Sequence, residues 1–203
     1  MKTLVFLIGT LSFTSFSHAH VCERTPQVRM ALEKITQKNC QDIGTEALSK
    51  ITELDLSFSG ISHLKADDFS GLSSLEGLYL YHNQLTALPE TLFSGLSSLK
   101  ELDLGSNQLT ALPEKLFTGL SSLERLNLSH NQLTALPEKL FSGLSSLQDL
   151  FLYRNQLTAL PEKLFKGLSS LGRLNLGSNQ LTALPEELFT GLSSLEWLNL
   201  DNN

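Results

Sequence analysis

The chain of 203 residues holds only two cysteines, one tryptophan and three tyrosines, and has less base than acid: 15 Lys and Arg against 21 Asp and Glu, a formal charge of −6. Each shortage excludes something. Cys22 and Cys40 form no CxxC pair and have no histidine cluster nearby, which removes the redox and zinc motifs built on closely spaced thiols. An acidic balance disfavours nucleic acid and anionic lipid as partners. No run approaches 18 continuous apolar residues, so no membrane insertion is expected.

Residues 1–19 have the layout of a secretory signal peptide. Lys2 supplies a positive start, Leu4 to Phe13 a short apolar run, and Ser17-His18-Ala19 a small-x-small cleavage site. Cleavage after Ala19 would start the mature chain at His20 and remove only Lys2 among the charges, so that −6 becomes −7. The expected location is therefore secreted, periplasmic or at the cell surface, in an oxidising compartment where Cys22 and Cys40 pair as a structural disulfide. Closing that loop contributes roughly 3 kcal/mol in the chain-entropy account.

From Ile51 onward the sequence repeats every 24 residues, with copies beginning at Ile51, Leu75, Leu99, Leu123, Leu147, Leu171 and Leu195. Each copy reads L-x-x-L-x-L-x-x-N-x-L-x-x-L-P-x-x-x-F-x-G-L-x-x, as in Leu99, Leu102, Leu104, Asn107, Leu109, Leu112, Pro113, Phe117, Gly119 and Leu120. In Leu-x-Leu the period is 2, so both leucines face one side of a short strand and their neighbours the other. A parallel neighbour requires a return crossover. Pro89, Pro113, Pro137, Pro161 and Pro185 keep that return from being a regular helix, so turns and short helical pieces are predicted, with the phenylalanine plugging the outer side. One copy offers about seven apolar side chains at ~1.5–3 kcal/mol each, against ~1–2 kcal/mol per residue of backbone ordering. A copy cannot fold alone, and stacking must complete it.

The pattern over residues 51–203 resembles the leucine-rich-repeat family. That resemblance implies an α/β repeat solenoid: a horseshoe with a parallel concave β-sheet and an irregular or short-helical convex side. It also implies that Asn83, Asn107, Asn131, Asn155, Asn179 and Asn203 stack as a structural ladder, a carboxamide being able to serve both N–H and C=O groups in a buried bend. The first copy carries Ser59 there instead. Residues 20–50 are expected to form an N-terminal cap. Thr25-Pro26 followed by Val28, Ala31, Leu32 and Ile35 has the spacing of an amphipathic helix with an N1 proline. The run Cys22-Glu23-Arg24-Thr25-Pro26-Gln27-Val28-Arg29 is similar to caps of secreted bacterial relatives. No C-terminal cap follows the partial seventh copy, so the expectation is a fragment of a longer protein or an edge that self-associates.

The copies differ from one another at positions 2, 3, 5, 7 and 8, which the alternation turns away from the core. Position 5 runs Asp55, Tyr79, Asp103, Asn127, Phe151, Asn175, Asn199; position 7 runs Ser57, Tyr81, Gly105, Ser129, Tyr153, Gly177, Asp201. Every third copy is alike, a super-repeat of 72 residues. With strands ~4.8 Å apart, the pairs Tyr79/Tyr81 and Phe151/Tyr153 should lie roughly 14 Å from each other on one wall. Position 3 carries Glu101, Arg125, Asp149 and Arg173 on successive strands, an alternation expected to form exposed ion pairs worth ~0.2–1 kcal/mol each. The candidate ligand-binding face therefore comprises Tyr79, Tyr81, His82, Glu101, Asp103, Arg125, Asn127, Asp149, Phe151, Tyr153, Arg154 and Arg173. Its area, near 650 Å² from ~4.8 Å strand spacing and ~3.3 Å rise, falls short of the roughly 800 Å² per partner of a standard interface.

No constellation suits catalysis. His82 and His130 lie two strands apart, about 10 Å, whereas zinc needs nitrogens at ~2.0–2.1 Å. The acidic pairs Glu101/Asp103 and Glu53/Asp55 lie on an open face without the enclosure that tunes an acid or base. No metal, no cofactor and no enzymatic activity are expected. The sequence points to a recognition module for a protein or surface glycan, with a structural envelope component or an enzyme inhibitor as alternatives.

Overall fold

In the computed structural model the described residues are 21–203, so the expected signal peptide lies outside them. Seven three-residue strands follow one another in a single parallel sheet: β1 (Glu53–Asp55), β2 (Gly77–Tyr79), β3 (Glu101–Asp103), β4 (Arg125–Asn127), β5 (Asp149–Phe151), β6 (Arg173–Asn175) and β7 (Trp197–Asn199). Each pairs with the next at an offset of one 24-residue repeat, Leu54 opposite Leu78, Leu78 opposite Leu102, and so on to Leu198. Hydrogen bonding continues past the named strands. The Leu104 amide donates to the Asn127 carbonyl at 2.8 Å and the Ser106 amide to that of Ser129 at 3.0 Å. Position 7 thus remains on the ladder and faces the same way as positions 3 and 5.

The leucines of the repeat form one continuous core. Leu99, Leu102, Leu104, Leu109, Leu112, Leu116 and Leu120 are each at most 4% exposed, as are their counterparts in the two copies on the C-terminal side. On the outer side Phe69, Phe93, Phe117, Phe141, Phe165 and Phe189 stack with centroids 6.2–6.3 Å apart and planes within 12°. Paired strands sit about 4.8 Å apart. Each repeat is therefore wider at its phenylalanine than at its strand, and the stack curves with the sheet on the inside.

The convex return consists of single turns rather than helical pieces. In the third copy Leu116, Thr118 and Leu120 donate to the carbonyls of Pro113, Lys115 and Phe117 at 3.0–3.2 Å. Proline at the start supplies no N–H, and Gly119, at φ +90°, ends the run in the left-handed region. A Cβ on Gly119 would meet nothing within 4 Å, so the requirement is one of backbone conformation rather than space.

The asparagine ladder is complete. Asn131 donates to the carbonyls of Leu104, Leu128 and Ser129 at 3.0–3.2 Å and accepts the Leu109 amide at 3.0 Å. Asn83, Asn107, Asn155, Asn179 and Asn203 repeat the arrangement. In the first copy the Ser59 and Ile61 amides both donate to Asn83. The residue before each ladder position is left-handed although none is glycine: Phe58, His82, Ser106, His130, Arg154, Ser178 and Asn202 have φ of 53–58°.

Residues 21–50 carry helices α1 (Pro26–Thr36) and α2 (Thr45–Leu48), add Val21, Val28 and Leu32 to the core of the repeats, and bond Cys22 to Cys40. Val28 and Leu32 are buried, but Ile35 is 46% exposed, so the apolar face of α1 is shorter than its spacing suggests. Thr25 begins α1 without capping it. Its Oγ1 and amide instead donate to the carboxylate of Asp68, at 2.6 and 2.7 Å, which also accepts the Lys65 amide at 2.7 Å. Arg24, itself buried, donates to the Asp68 and Ser70 carbonyls at 2.9 and 2.5 Å. No described helix is long and apolar enough to cross a membrane.

Candidate functional site

Because the leucines of each strand point inward, residues at positions 3, 5 and 7 project into the hollow of the solenoid. Tyr79, Tyr81, Phe151 and Tyr153 are all partly exposed there, and Asp103 and Asn127 lie between Tyr79 and Phe151 in register. The two aromatic pairs are thus three strands apart on one face.

At position 3 the alternating charges meet in a chain. Arg125 donates to Glu101 at 2.7 Å and to Asp149 at 3.2 Å, while Arg173 donates to both oxygens of Asp149 at 2.5 and 2.7 Å. The expectation of a fully exposed ladder needs one correction. Asp149 is only 5% exposed, because the two long arginine side chains on flanking strands close over the shorter carboxylate. Its oxygens are committed to the ladder rather than open to a ligand. The Arg173 hydrogen bond above all, then Arg125, holds its carboxyl below the usual range despite burial.

The ladder continues sideways. Tyr79 donates its hydroxyl to Glu101 at 3.1 Å, and its pKa is pushed up to about 12 by burial, then by Glu101 and Glu53. Gly77 makes room for Glu53, whose oxygen would lie 2.0 Å from a Cβ there. Asp103 takes the Gly105 amide and the Asn127 amide group on the same oxygen, at 2.8 and 2.9 Å. Burial raises its pKa against those two bonds. Tyr79, Glu101, Asp103, Arg125, Asn127 and Phe151 together line a recess of about 190 Å³.

Position 8 forms the rim. Phe58 is 69% exposed and stands 5.5 Å from Tyr81 edge-on and 4.7 Å from His82. His130 meets Tyr153 edge-on at 5.1 Å. Burial, then the charge of Arg154, lowers the His130 pKa. Arg154 and His82 are exposed. Three residues absent from the sequence-based face belong to it: His130, beside Tyr153, Phe58 and Trp197. Phe58 sits in the irregular first copy, and only the left-handed bend turns it toward Tyr81. Trp197, 43% exposed at position 3 of β7, lines a recess of about 440 Å³ with Phe151, Arg173 and Glu196; its position in the repeat was the signal for it. Among the described residues no group of three or more His, Cys, Asp or Glu is set to hold a metal.

Comparison with known proteins bears on this arrangement. The family profile described as "Leucine rich repeat" matches residues 49–109, 97–157 and 150–203. No curated protein matches the chain. Among solved structures, the chain is similar to one of the Toll–Spatzle complex of Drosophila, at 32% identity and a TM-score of 0.75, over 78% of this chain and 21% of that one. It is also similar to a leucine-rich-repeat protein of Leptospira interrogans, at 34% identity and a TM-score of 0.69, over 79% of this chain and 40% of that one. The chain therefore spans well under half the length of either.

Proposed function

This chain belongs to the leucine-rich-repeat family, and on that premise we propose that it is a non-catalytic recognition module that binds a protein partner on its concave face, outside the cytoplasm. One observation carries the reading: framework residues recur from copy to copy, while the partly exposed aromatic and charged residues that differ between copies share one face. Tyrosine, tryptophan and arginine are the residues that dominate protein interfaces, and their rings are rigid and amphipathic. A similar solved structure is of a complex, Toll with Spatzle, which favours a protein over a glycan as partner. The Cys22–Cys40 bond agrees with an oxidising compartment. The fold is typically non-catalytic, and the enclosed carboxylate of the face, Asp149, is occupied by hydrogen bonds from Arg125 and Arg173.

The test is photocrosslinking in the cells that make the protein. A benzoylphenylalanine in place of Phe58 on the concave rim is expected to trap a protein adduct, and one in place of Lys163 on the convex return is not. Replacing Tyr79, Tyr81, Phe151 and Tyr153 together with alanine should abolish the adduct while the chain stays folded. An unchanged adduct in that variant, or equal trapping from position 163, overturns the reading.

A further inference from the structure

The rim of the concave face carries one arrangement of rings twice. Phe58 lies edge-on to Tyr81 at 5.5 Å and 72°, and His130 lies edge-on to Tyr153 at 5.1 Å and 80°. Each member of the second ledge stands 72 residues after its counterpart: Phe58 and His130, Tyr81 and Tyr153, His82 and Arg154. The shape recurs but the charge does not. Asp55 and Asp103 occupy position 5 on the strands flanking Tyr81, and the equivalent positions beside Tyr153 hold Asn127 and Asn175. One ledge thus has two carboxylates and a histidine around it; the other has two carboxamides and an arginine.

We propose that the two ledges together bind one extended peptide segment of a partner protein, laid along the solenoid axis, with apolar side chains four residues apart on the ledges, basic residues beside the first and acidic residues beside the second. The proposal rests on the concave-face reading above and adds the partner's conformation and charge order. Three strand intervals of ~4.8 Å separate the ledges by about 14 Å. Four extended residues at ~3.3–3.4 Å span about 13–14 Å, and the period of 2 puts residues i and i+4 on the same side. Three or five residues would turn the second anchor away. A helix rising 1.5 Å per residue would need about nine or ten residues, which turns its second anchor about 80–180° away from the first. Asp55 and Asp103 attract cations at the first ledge, and Arg154, exposed at the second, attracts anions.

The probe is a nine-residue peptide of two lysines, leucine, Ser-Thr-Ser, leucine and two glutamates, titrated into the folded protein at low salt and followed by amide NMR. Its Kd is expected to be about tenfold below that of peptides whose leucines are three or five residues apart. It should also lie about threefold below that of peptides with lysine or glutamate at both ends. Shifts should appear at residues 58, 81 and 82 and at 130, 153 and 154, and Tyr81→Ala or Tyr153→Ala should each abolish the spacing preference. Equal affinity for all spacings, shifts at one ledge alone, or no saturation at millimolar peptide overturns the proposal. If that happens while the adduct from position 58 still requires the aromatic residues, the concave-face reading survives without it; loss of that dependence removes both.

Discussion

The residue before each ladder asparagine shows most directly what the backbone demands and what it leaves free. Its φ of 53–58° suits Asn or Gly, yet the chain places Phe, His, Arg and Ser there and uses Asn only at Asn202. Such side chains in the left-handed region cost of order 1 kcal/mol each. A β-branched residue fits worst. Ser106→Val is expected to lower stability by about 1–2 kcal/mol in urea titration, whereas Ser106→Asn should leave it unchanged or slightly raised. The sequence showed that these positions vary but not that they are bent, since no glycine marks the bend. Two carboxylates of the face should respond to pH in opposite senses. Asp103, raised by burial, contributes stability that is complete below the usual carboxylate pKa and lost as pH rises through its folded value. Asp149, depressed chiefly by Arg173, contributes stability present above the usual carboxylate pKa and lost as pH falls through its folded value. Urea titrations at pH 7 and pH 3 should therefore show Asp103→Asn gaining stability at the higher pH only. Asp149→Asn should lose stability at the higher pH, with the loss shrinking at the lower.

At the scale of elements, the strands and their facing were legible because a period of 2 is unambiguous when every framework position is leucine. The parallel order and the register follow from an uninterrupted 24-residue spacing. The turns were less legible. Proline excluded a long helix but could not distinguish short helical pieces from the single turns observed, since that choice depends on where Gly119 and its counterparts reverse the chain. The N-terminal helix was half legible: Pro26 marks the start of α1, but Thr25 turns to Asp68, a residue 43 positions away that no local pattern connects to it. The ladder is the element whose loss should be most damaging for its size. Asn131→Ala leaves the buried Leu109 amide without a partner, at ~1–3 kcal/mol for a donor that water cannot reach, and takes one of two donors from each of the Leu104, Leu128 and Ser129 carbonyls. A loss of about 3 kcal/mol is expected, read as a lower urea midpoint. Amide exchange should speed up first in the third and fourth copies, because each repeat contacts only its neighbours.

The whole molecule separates a framework that is nearly the same in every copy from a face that is not. The same separation limits what the sequence could say. The aromatic wall and the charge ladder followed from alternation and spacing, but the burial of Asp149 and the Phe58–Tyr81 contact depend on how side chains of adjacent repeats lie across one another. If function resides in the face alone, face residues can be exchanged between copies without disturbing the stack. The most direct measurement is therefore the photocrosslinking yield from position 58 in a chain carrying Tyr79→Asp, Tyr81→Gly, His82→Ser, Phe151→Asn, Tyr153→Gly and Arg154→Ser, the residues that the third and sixth copies already hold at those positions. The expected result is a folded chain with a cooperative urea transition and no adduct. A full yield of adduct from that chain would contradict the account.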